Sequence, residues 1–131
     1  MLSILDISLN VIHTCIILFC LTGWIWRRTM VAHFILIAFI FASWFILGIW
    51  KGMGYCLLTD VQWQIKTKLG ERHLPNSFIK YAVDKVSGLN VPSSLIDKVA
   101  MICFLTATLF AIVNFTRFLK AKRAVRQHTA L

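Results

Sequence analysis

Three stretches of the chain are apolar on every side, and the segment between the second and third alternates between apolar and polar positions. The first stretch runs from about Ile4 to Trp26, the second from about Met30 to Trp50, and the third from about Val99 to Leu119. Each reaches the ~20 helical residues needed to cross a ~30 Å hydrocarbon layer. A helix that is apolar all round has no face to turn toward water. The pattern therefore predicts an all-α membrane protein with three transmembrane helices, spans 4–26, 30–50 and 99–119, in one domain of residues 1–131.

The segment from Lys51 to Lys98 is different. Leu58, Val61, Ile65 and Leu69 recur at helical spacing opposite Gln64, Lys66 and Lys68, and Gly70 supplies a stop. Thr59 and Gln62 have the spacing of a capping box, in which the Thr hydroxyl and the Gln side chain satisfy each other's free backbone amides. A second stretch starts at Asn76 or Ser77, puts Phe78, Ile79, Ala82, Val83 and Val86 on one side and Lys80, Asp84 and Lys85 on the other, and ends at Gly88. Two short amphipathic helices are thus expected between the second and third spans, at the interface or folded over the helix ends.

The composition agrees with this division, with 59% hydrophobic and 15% charged residues against roughly 45–50% and 25% in soluble domains. The first block has Asp6 ahead of its centre, no Lys or Arg before it and no small-residue cleavage site after it, so it reads as a retained helix and not a signal peptide. Arg27 and Arg28 follow the block, where a twin-arginine export signal would precede it.

A net charge of +9 would suggest nucleic acid in a soluble protein. Here the charge has a topological explanation. Arg27 and Arg28 fill the first turn, and Arg117, Lys120, Lys122, Arg123 and Arg126 crowd the end of the chain. Basic residues collect in short cytoplasmic loops and tails. Three spans then give an outer N-terminus, an outer segment 51–98 and a basic cytoplasmic tail 120–131. Such a tail attracts anionic lipid at ~1 kcal/mol per charge. No base-stacking motif or zinc spacing points to nucleic acid.

Candidate chemistry is sparse. Asp6, Asn10 and His13 fall on one stripe of the first helix, together with Ile17, Cys20 and Trp24. His13 is expected near the bilayer centre, where an ionisable group needs a partner. Asn10, Thr14, Thr106 or Asn114 would serve, making it packing glue. His33 opens the second helix and is expected at the interface. A shared haem between His13 and His33 is disfavoured, because counting from the turn leaves them about 15 Å apart in depth.

Cys15, Cys20 and Cys103 lie in apolar blocks, where cysteine is an ordinary small hydrophobe. Cys56 is the one cysteine of the outer segment, beside an expected helix N-terminus that lowers a thiol pKa. It reads either as a reactive thiol or lipidation point, or as a small residue at a corner with Thr59, Asp60 and Gln62. No HExxH, GxSxG, CxxC or phosphate loop occurs, so no catalytic residue and no metal site are assigned.

The segment Cys56-Leu57-Leu58-Thr59-Asp60-Val61-Gln62 resembles the hallmark of a family of small bacterial integral-membrane proteins known only as a domain of unknown function. That hallmark is Cys-Pro-Leu-Thr, any residue, a hydrophobe and Glu. His13 with Gly23-Trp24, His33, Gly52 or Gly54 and Phe78-Ile79 are similar to further family positions, over roughly residues 8 to 90. Leu57 replaces the proline and Gln62 the glutamate. The resemblance implies an integral protein of a bacterial inner membrane and no mechanism.

The function expected is that of a non-catalytic accessory or scaffolding subunit, binding another membrane protein or itself. The alternative is a redox protein with haem, quinone or metal at His13 and Cys56. A third is a transporter component whose Asp6-Asn10-His13 stripe faces a polar path.

Overall fold

The computed structural model describes residues 1–129 and contains five helices and no strand among them. They are α1 (Leu2–Thr22), α2 (Met30–Lys51), α3 (Leu57–Lys68), α4 (Phe78–Ser87) and α5 (Ser93–Thr129). α1, α2 and α5 are long and apolar enough to cross a membrane. Only 11–17% of their most apolar windows is buried inside the protein, so most of that surface requires an apolar environment outside the fold.

The spans pack through a strip of small and flat side chains. Cys20, Ile37, Phe104, Ala107 and Ala111 form the core, and the alanines let helices approach closely. Stacked rings fix the register. Phe34 lies on Phe115 at 4.4 Å, Trp44 against Phe104 at 4.8 Å, and Trp24 on Phe110 at 4.7 Å. α2 therefore runs antiparallel to α5, and α1 runs parallel to it. α2 is π-helical over Ala42–Leu47, a local widening in which the Ser43 hydroxyl donates to the Tyr55 carbonyl at 2.9 Å. The chain leaves α2 through Gly52 (φ 105°) and Gly54 (φ 82°), conformations that a Cβ would strain.

The first hairpin is wider than a tight turn. α1 ends at Thr22, short of the expected 26, and the stretch 23–29 is non-helical. Gly23 touches α2 so closely that a Cβ there would lie 2.7 Å from His33 Cδ2. Counting back from the Trp24–Phe110 stack, about 16 Å at 1.5 Å per residue brings His13 level with Val99, and both line one cavity. His13 thus lies toward the end of the bundle that α3 and α4 cover, level with the start of the expected third span.

α5 overruns the expected third span at both ends, and the basic tail continues it as helix to Thr129. Residues 130 and 131 of that expected tail lie outside the described residues.

Candidate functional site: a polar seam and an apolar cavity

α3 does not present its apolar residues inward. Its buried positions are Thr59, Gln62 and Lys66, whereas Leu57, Val61 and Leu69 are exposed. The polar face packs inward instead, and the reason is α1. The α1 stripe Asp6-Asn10-His13 meets the α3 stripe Lys66-Gln62-Thr59 antiparallel, at the same spacing of three and four. Burying either stripe against hydrocarbon would leave several polar groups unpaired, at a cost of roughly 1–3 kcal/mol each. Burying them against each other pairs Asp6 Oδ2 with Lys66, Asn10 with Gln62 and His13 with Gln62, and leaves Asp6 Oδ1 as the one buried oxygen of the seam without a partner among the described residues.

The expected capping box is also absent. Cys56 occupies the N-cap position of α3, and Thr59 and Gln62 sit inside the helix. The Gln62 amide donates through Nε2 to Asn10 Oδ1 at 2.8 Å, and its Oε1 lies 3.4 Å from His13 Nδ1. Asn10 Nδ2 in turn donates to the Asp6 carbonyl at 2.9 Å. Cys56 Sγ lies 3.9 Å from His13 Nε2. One assignment of protons satisfies the series: Asn10 and Gln62 point their amides as named, His13 carries its proton on Nδ1, and its Nε2 lone pair faces the thiol. His13 thus finds its partners on α3 and the loop before it, not at Thr14, Thr106 or Asn114. Thr14 and Thr106 bond to carbonyls of their own helices, and Asn114 Nδ2 donates to the Trp24 carbonyl at 3.4 Å.

At the Asp6 end of the seam Lys66 is fully buried. Its ammonium donates to Asp6 Oδ2 at 2.9 Å, Tyr81 OH at 3.0 Å and Glu71 Oε1 at 3.1 Å, which uses all three donors. Burial opposes the charge, but the bonds to Tyr81, Asp6 and Glu71 outweigh it and hold Lys66 above the ordinary lysine range. α4 completes the cap. Its Lys80 bonds to Asp84, to Asn90 Oδ1 and to the Val91 carbonyl, which ties α4 to the start of α5. Phe78 lies flat on the His13 imidazole at 3.9 Å. Asp60, the remaining candidate at the corner, is exposed and accepts from Tyr55 OH at 2.9 Å, which raises the tyrosine pKa.

His33 stands apart from this cluster. It is buried between α1 and α2, with Nε2 2.8 Å from the Cys20 carbonyl. That contact requires a proton on Nε2, so the ring acts as a clasp of the first hairpin.

Below the cap, α1, α2, α4 and α5 surround a cavity of about 370 Å³. Ile17, Ile40, Trp44, Ala100 and Phe104 give it apolar walls, and His13, Cys56 and Thr59 stand at its cap end. Leu21, Val99 and Cys103 line it and are exposed, so it opens between α1 and α5 to whatever surrounds the spans. Burial pushes the Cys56 thiol up. Hydrogen bonding with the His13 ring and with the side chain and backbone N–H of Thr59 outweighs this and brings it down to about 7. No group of three or more His, Cys, Asp or Glu among the described residues is arranged to hold a metal ion.

Sequence reasoning singled out His13, Asn10, Asp6, Cys56, Thr59 and Gln62 in two separate sites, linking only His13 and Cys56 in the redox alternative. The structure brings them together, and adds Lys66, Glu71, Tyr81 and Phe78. The available signal was the pair of polar stripes with equal spacing and opposite charge at one end, Asp6 facing Lys66.

These features define a three-span helical membrane protein in which one end of the bundle is covered by a pair of short helices locked on through buried polar groups. The chain belongs to the family described as Protein of Unknown function (DUF2784), whose model matches residues 3–116. No curated protein and no solved structure matches it.

Proposed function

We propose that the protein is a non-catalytic accessory subunit of the bacterial inner membrane that holds one apolar, membrane-derived molecule for a partner membrane protein. The cavity carries this reading. It has the 300–1,000 Å³ size and the apolar walls with few convergent polar groups that mark small-molecule sites. Its opening among exposed apolar residues suits a molecule that arrives from the bilayer. The exposed apolar faces of the spans leave room for a partner helix or a second copy.

The basic clusters at Arg27–Arg28 and on the last turns of α5 support an N-out, C-in orientation, with the cap outside and anionic lipid at the tail. The convergence of His13 and Cys56 at the cavity also favours a second reading, in which a quinone head group sits there. A quinone spectrum in the purified protein would select it. The Asp6-Asn10-His13 stripe is covered by α3 and spent on its side chains, which does not favour the transporter reading.

Native mass spectrometry tests the main reading, using protein released from nanodiscs containing hexadecyl methyl ether as an unreactive probe. Wild type should retain one probe molecule. Ala100→Phe, which fills the cavity, should retain none at an unchanged melting temperature. Equal retention by the two proteins, or none by wild type, contradicts it.

A further inference from the structure

We propose that Cys56 is an acyl-acceptor site: it takes a long-chain acyl group from a membrane-lipid ester as a thioester, with the chain lying in the cavity below. This rests on the cavity being a holder of apolar molecules, and it names the molecule and the bond.

Four observations meet at this point. Cys56 Sγ faces His13 Nε2 at 3.9 Å, the loose nucleophile–base geometry of an unliganded site. The base is oriented by a third group, since His13 Nδ1 is held by Gln62, and Gln62 by Asn10. Phe78 fixes the plane of the imidazole from one side. Thiol and imidazole both line the apolar cavity, so an acyl chain seated in it brings its carbonyl carbon to the sulfur.

The step balances without a further reactant. His13 Nε2 takes the thiol proton as the sulfur attacks the ester carbonyl carbon. A carbon–sulfur bond forms, the carbon–oxygen bond breaks, and the lipid alcohol leaves with the proton from His13. The first-turn amides of α3 have no carbonyl partner within the helix, and the Thr59 amide already points at the sulfur. A developing oxyanion beside the sulfur therefore meets N–H donors. One acyl group per chain is attached, with no turnover, as suits a holder. The chain itself supplies controls, because Cys15 and Cys103 are exposed on the spans and Cys20 is buried.

The groups that face the thiol are His13 from α1 and Thr59 from α3, with Tyr55 and its partner Asp60 beside it. α4 brings Phe78 to the far side of His13, while α2 and α5 contribute Trp44 and Cys103 to the cavity wall.

The test uses the full chain in nanodiscs with p-nitrophenyl palmitate as the ester. The expected result is a burst of one p-nitrophenol per protein and one hydroxylamine-labile palmitoyl group mapped to Cys56, at least tenfold faster than on Cys15 or Cys103. The rate should rise with pH through a midpoint near 7. His13→Gln should bring Cys56 down to the rate of Cys15, and Cys56→Ser should remove the burst while retaining the hexadecyl ether. Equal labelling of the three cysteines, or a rate at Cys56 indifferent to His13→Gln in a protein of unchanged melting temperature, overturns the proposal. If wild type keeps the ether but forms no Cys56 thioester, acyl transfer falls and the holder stands. If it keeps neither, both fall.

Discussion

Lys66 shows at the residue scale why the cap stays in place. An ammonium with no exposure is tolerable only because Asp6, Glu71 and Tyr81 occupy its three donors. Removing it strands two carboxylates, one of them on the apolar helix α1. Lys66→Ala should therefore lower unfolding stability by about 3–5 kcal/mol, the scale for breaking a buried pair. Asp6→Ala/Lys66→Ala should recover part of that loss in a double-mutant cycle. A loss below about 1 kcal/mol would place the pair among solvent-screened surface bridges and contradict the burial. The sign of the pH dependence follows from the raised lysine pKa. The contribution is complete below the ordinary value of 10.5 and is lost only as pH rises through the higher folded-state value, so neutral pH leaves it intact. None of this was legible from Lys66 alone, since a lysine on a short amphipathic helix ordinarily faces water. Gln62 misled in the same way. Its spacing from Thr59 suits a capping box, but Asn10 offers its amide a partner that would otherwise be buried unpaired.

At the scale of elements, the three spans were legible because stretches of twenty or more predominantly apolar residues admit few alternatives in water. The positions of the two short helices were legible as well. Ser77 precedes α4 and Gly88, at φ 69°, follows it, and Gly70, at φ 90°, lies just past α3. The facing of α3 was not. In a soluble protein its apolar stripe would mark the buried side, whereas beside a membrane helix with a polar stripe the polar side is the one that needs burial. The first hairpin was misjudged for another reason. Hydropathy continues through Trp24 and Trp26, but the helix stops at Thr22 so that Gly23 can pass against His33. Gly23→Ala puts a methyl 2.7 Å from the His33 ring and from the Phe19 carbonyl. Overpacking of this kind typically costs about 1–3 kcal/mol, which chemical unfolding in detergent would read as a lowered midpoint. An unchanged midpoint would mean that α1 and α2 do not meet at this glycine.

For the whole molecule, these pieces combine into a container with a polar lid. The seam between α1 and α3 holds the lid down, the Lys80 ties bind α4 to the head of α5, and the mismatch between lid and spans leaves the cavity. The resemblance to a membrane family without a mechanism correctly anticipated the class, and the family model covers residues 3–116. The cavity itself had no signature in the sequence, because its walls come from four helices and use the same residue types as any lipid-facing surface. Trp44 is the tryptophan in those walls, which makes the central claim open to a direct optical measurement. Protein in nanodiscs should be titrated with a palmitate brominated along its chain while tryptophan emission is followed. A saturable quenching component, one quencher per protein and lost in both Trp44→Phe and Ala100→Phe, is the predicted result. Quenching that grows in proportion to bromolipid without saturating, and is the same in the three proteins, would contradict the account.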